Sequence, residues 1–173
     1  MTSADHGPTV VLALGSNLGD RLANLQGGVD VLCTGPGLTD VAVSPVYETA
    51  AVGGPVQPDY LNAVLVATTA LPPRAVLARG QAAEAAMSRA RGQRWGPRTL
   101  DVDVIVYGNE VSGDPELTLP HPRAHERAFV LAPWHDLEPG AVVPGRGPIA
   151  DLLAAVGTAG VRLRRDARLR FPP

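Results

Sequence analysis

Apolar positions change their spacing along this chain, and the changes mark out its elements. Thr9 to Leu14, apolar without a break from Val10, has the pattern of a buried strand. It ends in the turn Gly15-Ser16-Asn17-Leu18-Gly19-Asp20, which also supplies a helix cap. From about Arg21 to Leu32, the residues Leu22, Leu25, Val29 and Leu32 line one helical face, although Gly27-Gly28 weakens that helix. Extended segments follow over about Leu38 to Tyr47 and Tyr60 to Thr69, separated by the Gly53-Gly54-Pro55-Val56-Gln57-Pro58 loop. A second helix begins at Pro72-Pro73, where proline is tolerated in the first turn, and runs to about Met87. Asp101 to Tyr107, rich in β-branched residues, is a further strand. The order β-α-β-β-α-β is that of a ferredoxin-like α+β sandwich, a mainly antiparallel sheet with flanking helices. A C-terminal extension is expected to hold a hairpin around Gly108–Leu119 and helices over about His125 to Trp134 and Pro148–Val156.

The strand at Asp101 carries the chemistry. Side chains two apart leave a strand by the same face, so Asp101 and Asp103 point one way. With Cα atoms about 6.5–7 Å apart and an effective dielectric of ~20, the two charges repel by roughly 2 kcal/mol. Something positive should sit between them. Asp is also depleted in strands, so the pair opposes local propensity, as functional residues often do. Salt bridges to Arg94 and Arg98, or a solvated strand face, would be the plain explanation. The preceding Arg94-Trp95-Gly96-Pro97-Arg98 favours another: two guanidiniums gripping phosphate oxygens around an aromatic, with Mg²⁺ on the carboxylates.

At 173 residues the chain fits one domain, taken as residues 9–160, with a disordered leader over 1–8 and a peripheral basic segment over 161–173. A net charge of −2 argues against a general nucleic-acid or membrane binder. All 15 basic residues are arginines, which reads as codon usage more than mechanism. The single Cys33 offers no disulfide and no zinc cluster, and no apolar run reaches the ~18–20 residues of a bilayer span, so a cytoplasmic protein is expected.

Five blocks taken together resemble one family. They are Ala13-Leu14-Gly15-Ser16-Asn17-Leu18-Gly19-Asp20, Ser44-Pro45-Val46-Tyr47-Glu48-Thr49, Gln57-Pro58-Asp59-Tyr60-Leu61-Asn62, the Arg94–Asp103 decapeptide, and Leu119-Pro120-His121-Pro122-Arg123 with Glu126-Arg127-Ala128-Phe129. In this order, over about residues 10 to 145, they are similar to the 6-hydroxymethyl-7,8-dihydropterin pyrophosphokinases of folate biosynthesis. The resemblance implies a single pyrophosphokinase domain that transfers the ATP diphosphoryl group to the pterin hydroxymethyl, releasing AMP. It implies that Asp101 and Asp103 ligate two Mg²⁺ ions and that Arg89 and Arg91 belong to a catalytic arginine loop. ATP contacts would come from Gln81, Glu84, Arg91, Arg94, Trp95, Arg98, Thr118, His121 and Arg127. Pterin contacts would come from Thr49, Val52, Gly53, Tyr60, Asn62, Trp95 and Phe129, with Tyr60 and Phe129 stacking on the ring. A monomer acting on these two small molecules, without nucleic acid or membrane, is expected.

Some positions depart from the family's pattern. Ser88 stands where glycine commonly precedes the first loop arginine, the Arg91 to Arg94 spacing is short, and Glu116 occupies a position that is basic in some members. A nucleic-acid module or a ligand-sensing domain of the same topology would not need a carboxylate pair aimed at a metal.

Overall fold

The computed structural model describes residues 6–51, 53–88 and 99–170. In chain order it runs β1 (Thr9–Ser16), α1 (Arg21–Cys33), β2 (Leu38–Val43), β3 (Tyr47–Thr49), β4 (Tyr60–Thr69), α2 (Pro73–Met87) and β5 (Asp101–Tyr107). There follow a hairpin of β6 (Ser112–Asp114) and β7 (Leu117–Leu119), a 3-10 turn (Ala124–Glu126) and α3 (Ala128–Leu137). A small β8 (Val142–Val143) and β9 (Gly147–Pro148) pair, α4 (Ile149–Val156) and β10 (Val161–Leu163) complete the chain. The main sheet is six-stranded, in the order β10-β3-β4-β1-β5 with β2 also on β4, and its pairs are antiparallel. This is the expected α+β sandwich. Its central strands β1 and β4 are apolar almost throughout because both faces of the sheet are covered. No described helix is long and apolar enough to cross a membrane.

The expected strand over Leu38 to Tyr47 is two strands. Pro45 has no N–H to continue the ladder. Ser44 closes the first part by donating its backbone N–H to the Val64 carbonyl (2.9 Å) and accepting the Val64 N–H on its hydroxyl (2.8 Å). The chain resumes as β3 further along the same edge of β4, opposite Tyr60 to Asn62. The helix expected from His125 likewise divides, because Arg127 is extended (φ −110°, ψ 102°) between the 3-10 turn and α3.

Two apolar layers flank the sheet. Val10, Leu12 and Leu14 of β1 face Leu25, Val29 and Leu32 of α1 and Val76 and Ala83 of α2. Asp20 caps α1, its side chain accepting the Ala23 N–H at 3.0 Å. The Gly27-Gly28 pair has a packing reason. A Cβ at Gly28 would lie 2.8 Å from Leu100 Cδ2 and 3.2 Å from Leu14 Cδ2, and one at Gly27 would collide with Met87 of α2. The other layer joins Val11, Val64 and Ile105 to Leu131 and Trp134 of α3 and Ile149 of α4.

The ends of the chain differ from expectation. Pro8, the last residue of the expected leader, accepts the Thr69 N–H on its carbonyl at 3.0 Å, while residues 1–5 lie outside the described residues. The segment from Val161, expected to be peripheral, forms β10 on the outer side of β3, and Ala167 is 5% exposed. It also brings Arg162 and Arg164 to Glu48, a buried carboxylate of β3 that Arg21 of α1 reaches as well (Arg21 at 2.8 Å, Arg164 at 2.9 Å). Burial alone would raise the Glu48 pKa, but the Arg21 hydrogen bond and the charges of Arg164, Arg21 and Arg162 hold it below its ordinary value.

Glu48→Gln should therefore cost roughly 2 kcal/mol at neutral pH, less than the ~3–5 kcal/mol of a fully buried pair because the arginines keep solvent contact. Because the folded-state pKa is depressed, this contribution is full above the unfolded value and is lost as pH falls through the folded one. Urea unfolding of both proteins measures it, and a difference that persists undiminished in acid would refute this account.

Candidate active site

Along the sheet face that meets α3, side chains change character from one end to the other. On β5 they pass from Ile105 to Asp103 and Asp101, on β4 from Val64 to Asn62 and Tyr60, and on β1 from Val11 through Ala13 to Gly15. Register sets these rows side by side. Val64, Ala13 and Asp103 are cross-strand partners, as are Asn62, Gly15 and Asp101. The register shift between Val11 and Leu12 leaves Ile105 as an extra residue on β5. Both Ile105 and Val106 consequently join the α3 core, and the two aspartates continue on that face beyond it. There the sheet opens into a cavity of about 730 Å³. Asp101 and Asp103 both line it, as their spacing predicts.

One wall is cationic. His121 donates its backbone N–H to the Ile105 carbonyl at 2.8 Å, which docks the segment after β7 onto β5. From that segment, Arg127 reaches 3.7 Å and His121 Nε2 3.9 Å from Asp103 Oδ2. Burial, with the charges of Arg127 and Arg123, pushes the His121 pKa down to about 4. The ring is therefore neutral near pH 7. Its Nδ1 accepts the Arg123 backbone N–H at 3.2 Å, so the proton resides on Nε2, which faces Asp103. The Arg127 guanidinium also lies over the Phe129 ring, 5.5 Å from its centroid.

The opposite wall is polar and aromatic. Tyr60 and Asn62 share a face of β4, and Thr49 of β3 pairs with Tyr60 across the ladder. The Asn62 amide, buried, donates to Thr49 Oγ1 at 2.9 Å, which fixes its plane. Gly15 leaves room between them, since a Cβ there would lie 3.1 Å from Asn62 Oδ1 and 3.4 Å from the Tyr60 ring. The chain approaching Tyr60 is anchored from β1 and its turn. Asn17, itself 1% exposed, donates to Gln57 Oε1 (2.8 Å) and the Pro58 carbonyl (3.1 Å).

Thr49, Gly53, Tyr60, Asn62, Asp101, Asp103, His121, Arg127 and Phe129 are thus gathered around one cavity. Gln81, Glu84 and Thr118 are not among its lining residues. Gln81 is exposed on α2, Glu84 accepts the Val102 N–H at 2.8 Å, and Thr118 Oγ1 donates to the Asp114 carbonyl at 2.9 Å. Val52, Arg89, Arg91, Arg94, Trp95 and Arg98 lie outside the described residues. The cavity adds Gln57 and Arg123, which stand inside recognisable blocks, and Ala13, whose small side chain matters only once the register is known. Among the described residues no group of three or more acidic, His or Cys side chains forms a closed metal cage. A carboxylate pair on one face fits Mg²⁺, which completes its octahedron with phosphate oxygens and water.

The family model described as 7,8-dihydro-6-hydroxymethylpterin-pyrophosphokinase matches residues 11–139. The chain is similar to the 2-amino-4-hydroxy-6-hydroxymethyldihydropteridine pyrophosphokinase of Mycobacterium tuberculosis, with 46% identity over 94% of this chain and 95% of that one. The enzyme of the same name from Pseudomonas aeruginosa is 39% identical over 88% of this chain and 94% of its own. Among solved structures, a triple mutant of Plasmodium falciparum HPPK-DHPS superposes with a TM-score of 0.66 at 14% identity. It covers 89% of this chain but 45% of that longer one, a likeness of fold alone.

Gly15→Ala tests the slot. The added methyl should weaken binding of a planar ring about tenfold, or about 1.4 kcal/mol, with little loss of stability. Titration calorimetry with the reduced pterin measures it, and unchanged affinity would show that the ring sits elsewhere.

Proposed function

We propose that the cavity beneath α3 is where this chain, which belongs to the 7,8-dihydro-6-hydroxymethylpterin-pyrophosphokinase family, performs the family's reaction. The enzyme transfers the diphosphoryl group of ATP to the hydroxymethyl group of 6-hydroxymethyl-7,8-dihydropterin, a step of folate biosynthesis, and AMP is the other product. The observation that carries the site assignment is the placement of Asp101 and Asp103 on the same face as Tyr60 and Asn62, beside Arg127 and His121.

In this reading the pterin ring lies between Tyr60 and Phe129, with Asn62, Thr49 and Gly53 along its edge, and Val52 and Trp95 are also assigned to pterin binding. Stacking supplies affinity, and the fixed Asn62 amide supplies the complementary donor and acceptor. Both orient the hydroxymethyl group toward the aspartates, where alignment with the β-phosphorus does most of the catalytic work.

A kinase that uses ATP generally needs Mg²⁺. We assign Asp101 and Asp103 as the residues that would hold it, with two ions per site. A metal held there would supply neutralisation of phosphate charge and polarisation of the bound oxygens. Arg127 adds a fixed positive charge on the phosphate side, and neutral His121 offers its Nε2–H as a donor. Arg89, Arg91, Arg94 and Arg98 are assigned to the triphosphate. Gln81, Glu84 and Thr118 are assigned to the rest of the nucleotide, near β5. A monomer acting in the cytoplasm is part of the proposal.

Asp103→Asn keeps the shape of the side chain and removes its charge. Turnover, followed as AMP release with ATP, Mg²⁺ and the hydroxymethyl pterin, should fall at least about a hundredfold, the scale of ~3 kcal/mol of lost charge stabilisation. The unfolding midpoint should stay within a few degrees. A near-normal rate at every Mg²⁺ concentration would remove Asp103 from the metal site.

A further inference from the structure

The β3–β4 ladder that sets Thr49 opposite Tyr60 is only three residue pairs long. Both residues line the ring slot, and β4 enters that slot directly from a glycine- and proline-rich loop. So short a ladder fixes position weakly on its own. On the other face of the sheet a second fastening crosses the same two strands. One guanidinium nitrogen of Arg21, the first residue of α1, donates to Glu48 Oε2 at 2.8 Å and to the Asp59 carbonyl at 2.9 Å. Glu48 is the neighbour of Thr49, and Asp59 is the neighbour of Tyr60.

Resting on the functional reading above, we propose that Arg21 is a positioning residue for the pterin slot, setting Tyr60 against Thr49 through Glu48 and the Asp59 carbonyl without touching substrate. Arg162 and Arg164 also hold Glu48, but neither is bonded to Asp59. They brace the carboxylate, whereas Arg21 alone ties it to the start of β4. A ring sandwiched between side chains is sensitive to displacements well below 1 Å, so loss of this tie should be felt by the pterin and not by ATP.

Steady-state kinetics on Arg21→Ala, Arg21→Lys and Arg162→Ala separates positioning from simple bracing. Arg21→Ala should raise KM for the pterin about tenfold while KM for ATP changes less than about twofold. Arg21→Lys, which keeps the charge and can reach one of the two acceptors, should recover part of that loss. Arg162→Ala should lower the unfolding midpoint and leave both KM values near those of the unsubstituted enzyme. Should Arg21→Ala fail to fold, a raised pterin KM in Arg21→Lys alone carries the same conclusion. Lowered stability with both KM values unchanged, or with both raised alike, would overturn the proposal and leave Arg21 a structural brace. Absence of pterin-dependent AMP release by the unsubstituted enzyme would overturn the functional reading itself, and this proposal with it.

Discussion

Two carboxylates leaving one strand on the same face impose the condition to which the surrounding structure answers. Alternation along β5 gives Asp101 and Asp103 no freedom to diverge, and their mutual repulsion, roughly 2 kcal/mol at an effective dielectric of ~20, grows as water is displaced. The chain places a guanidinium and a neutral imidazole beside Asp103 from a segment far along the sequence. Arg127 stands at 3.7 Å and His121 at 3.9 Å, both longer than the ~2.7–2.9 Å of a charge-assisted hydrogen bond. Arg127 offsets part of the carboxylate charge, and neutral His121 turns its Nε2–H toward the same oxygen. Such an arrangement suits a site whose charge balance is completed by a metal and a polyphosphate.

The same sheet face also has to contribute to the core, and it does so by dividing its length. At one end Val11, Val64 and Ile105 pack under Trp134 and Leu131; at the other the residues become small, polar or acidic. The bulge at Ile105 marks the boundary on β5. A polar half-face of this kind would be costly if its groups were left without partners. Here Asn62 bonds Thr49, Asn17 bonds the loop ahead of Tyr60, and among the described residues no buried side-chain nitrogen or oxygen lacks a hydrogen bond.

How much of this was legible in the sequence depends on the range of the interaction. The strand bounds at Tyr60–Thr69 and Asp101–Tyr107 and the helix at Pro73–Met87 follow from local periodicity and proline chemistry, and the structure agrees with them. The common face of Asp101 and Asp103 is equally local. The break at Pro45 was written in the residue itself, but its outcome, two strands in succession on one edge of β4, depends on Ser44 finding Val64. Gly27-Gly28 looked like a weak point in a helix because propensity is all that a sequence shows. The approach of Leu100 and Met87 gives the two small residues a packing reason. The roles of Ala13 and Gly15 were hidden for the same reason, since a small side chain means nothing until its cross-strand partners are known.

Arginine identity was the other feature that composition could not interpret. Codon usage accounts for having no lysine, but it does not account for what the arginines do once folded. Arg164 donates from Nε and one terminal nitrogen to both oxygens of Asp166, at 2.9 and 2.7 Å, and from its other terminal nitrogen to Glu48 at 2.9 Å. Arg21 divides one nitrogen between Glu48 and the Asp59 carbonyl. A planar fork can serve two acceptors in fixed directions, whereas an ammonium is a point charge on a flexible stem. Three cations around one carboxylate would repel each other if each depended on it alone. Arg164 has Asp166 and Arg21 has a carbonyl, while Arg162 is left largely in solvent, its side chain 69% exposed. The excess charge is thereby spread over acceptors in β3, in the approach to β4 and after β10. The cluster joins the C-terminal strand to the strand that carries Thr49, and it can do so only because guanidinium geometry permits shared bonding.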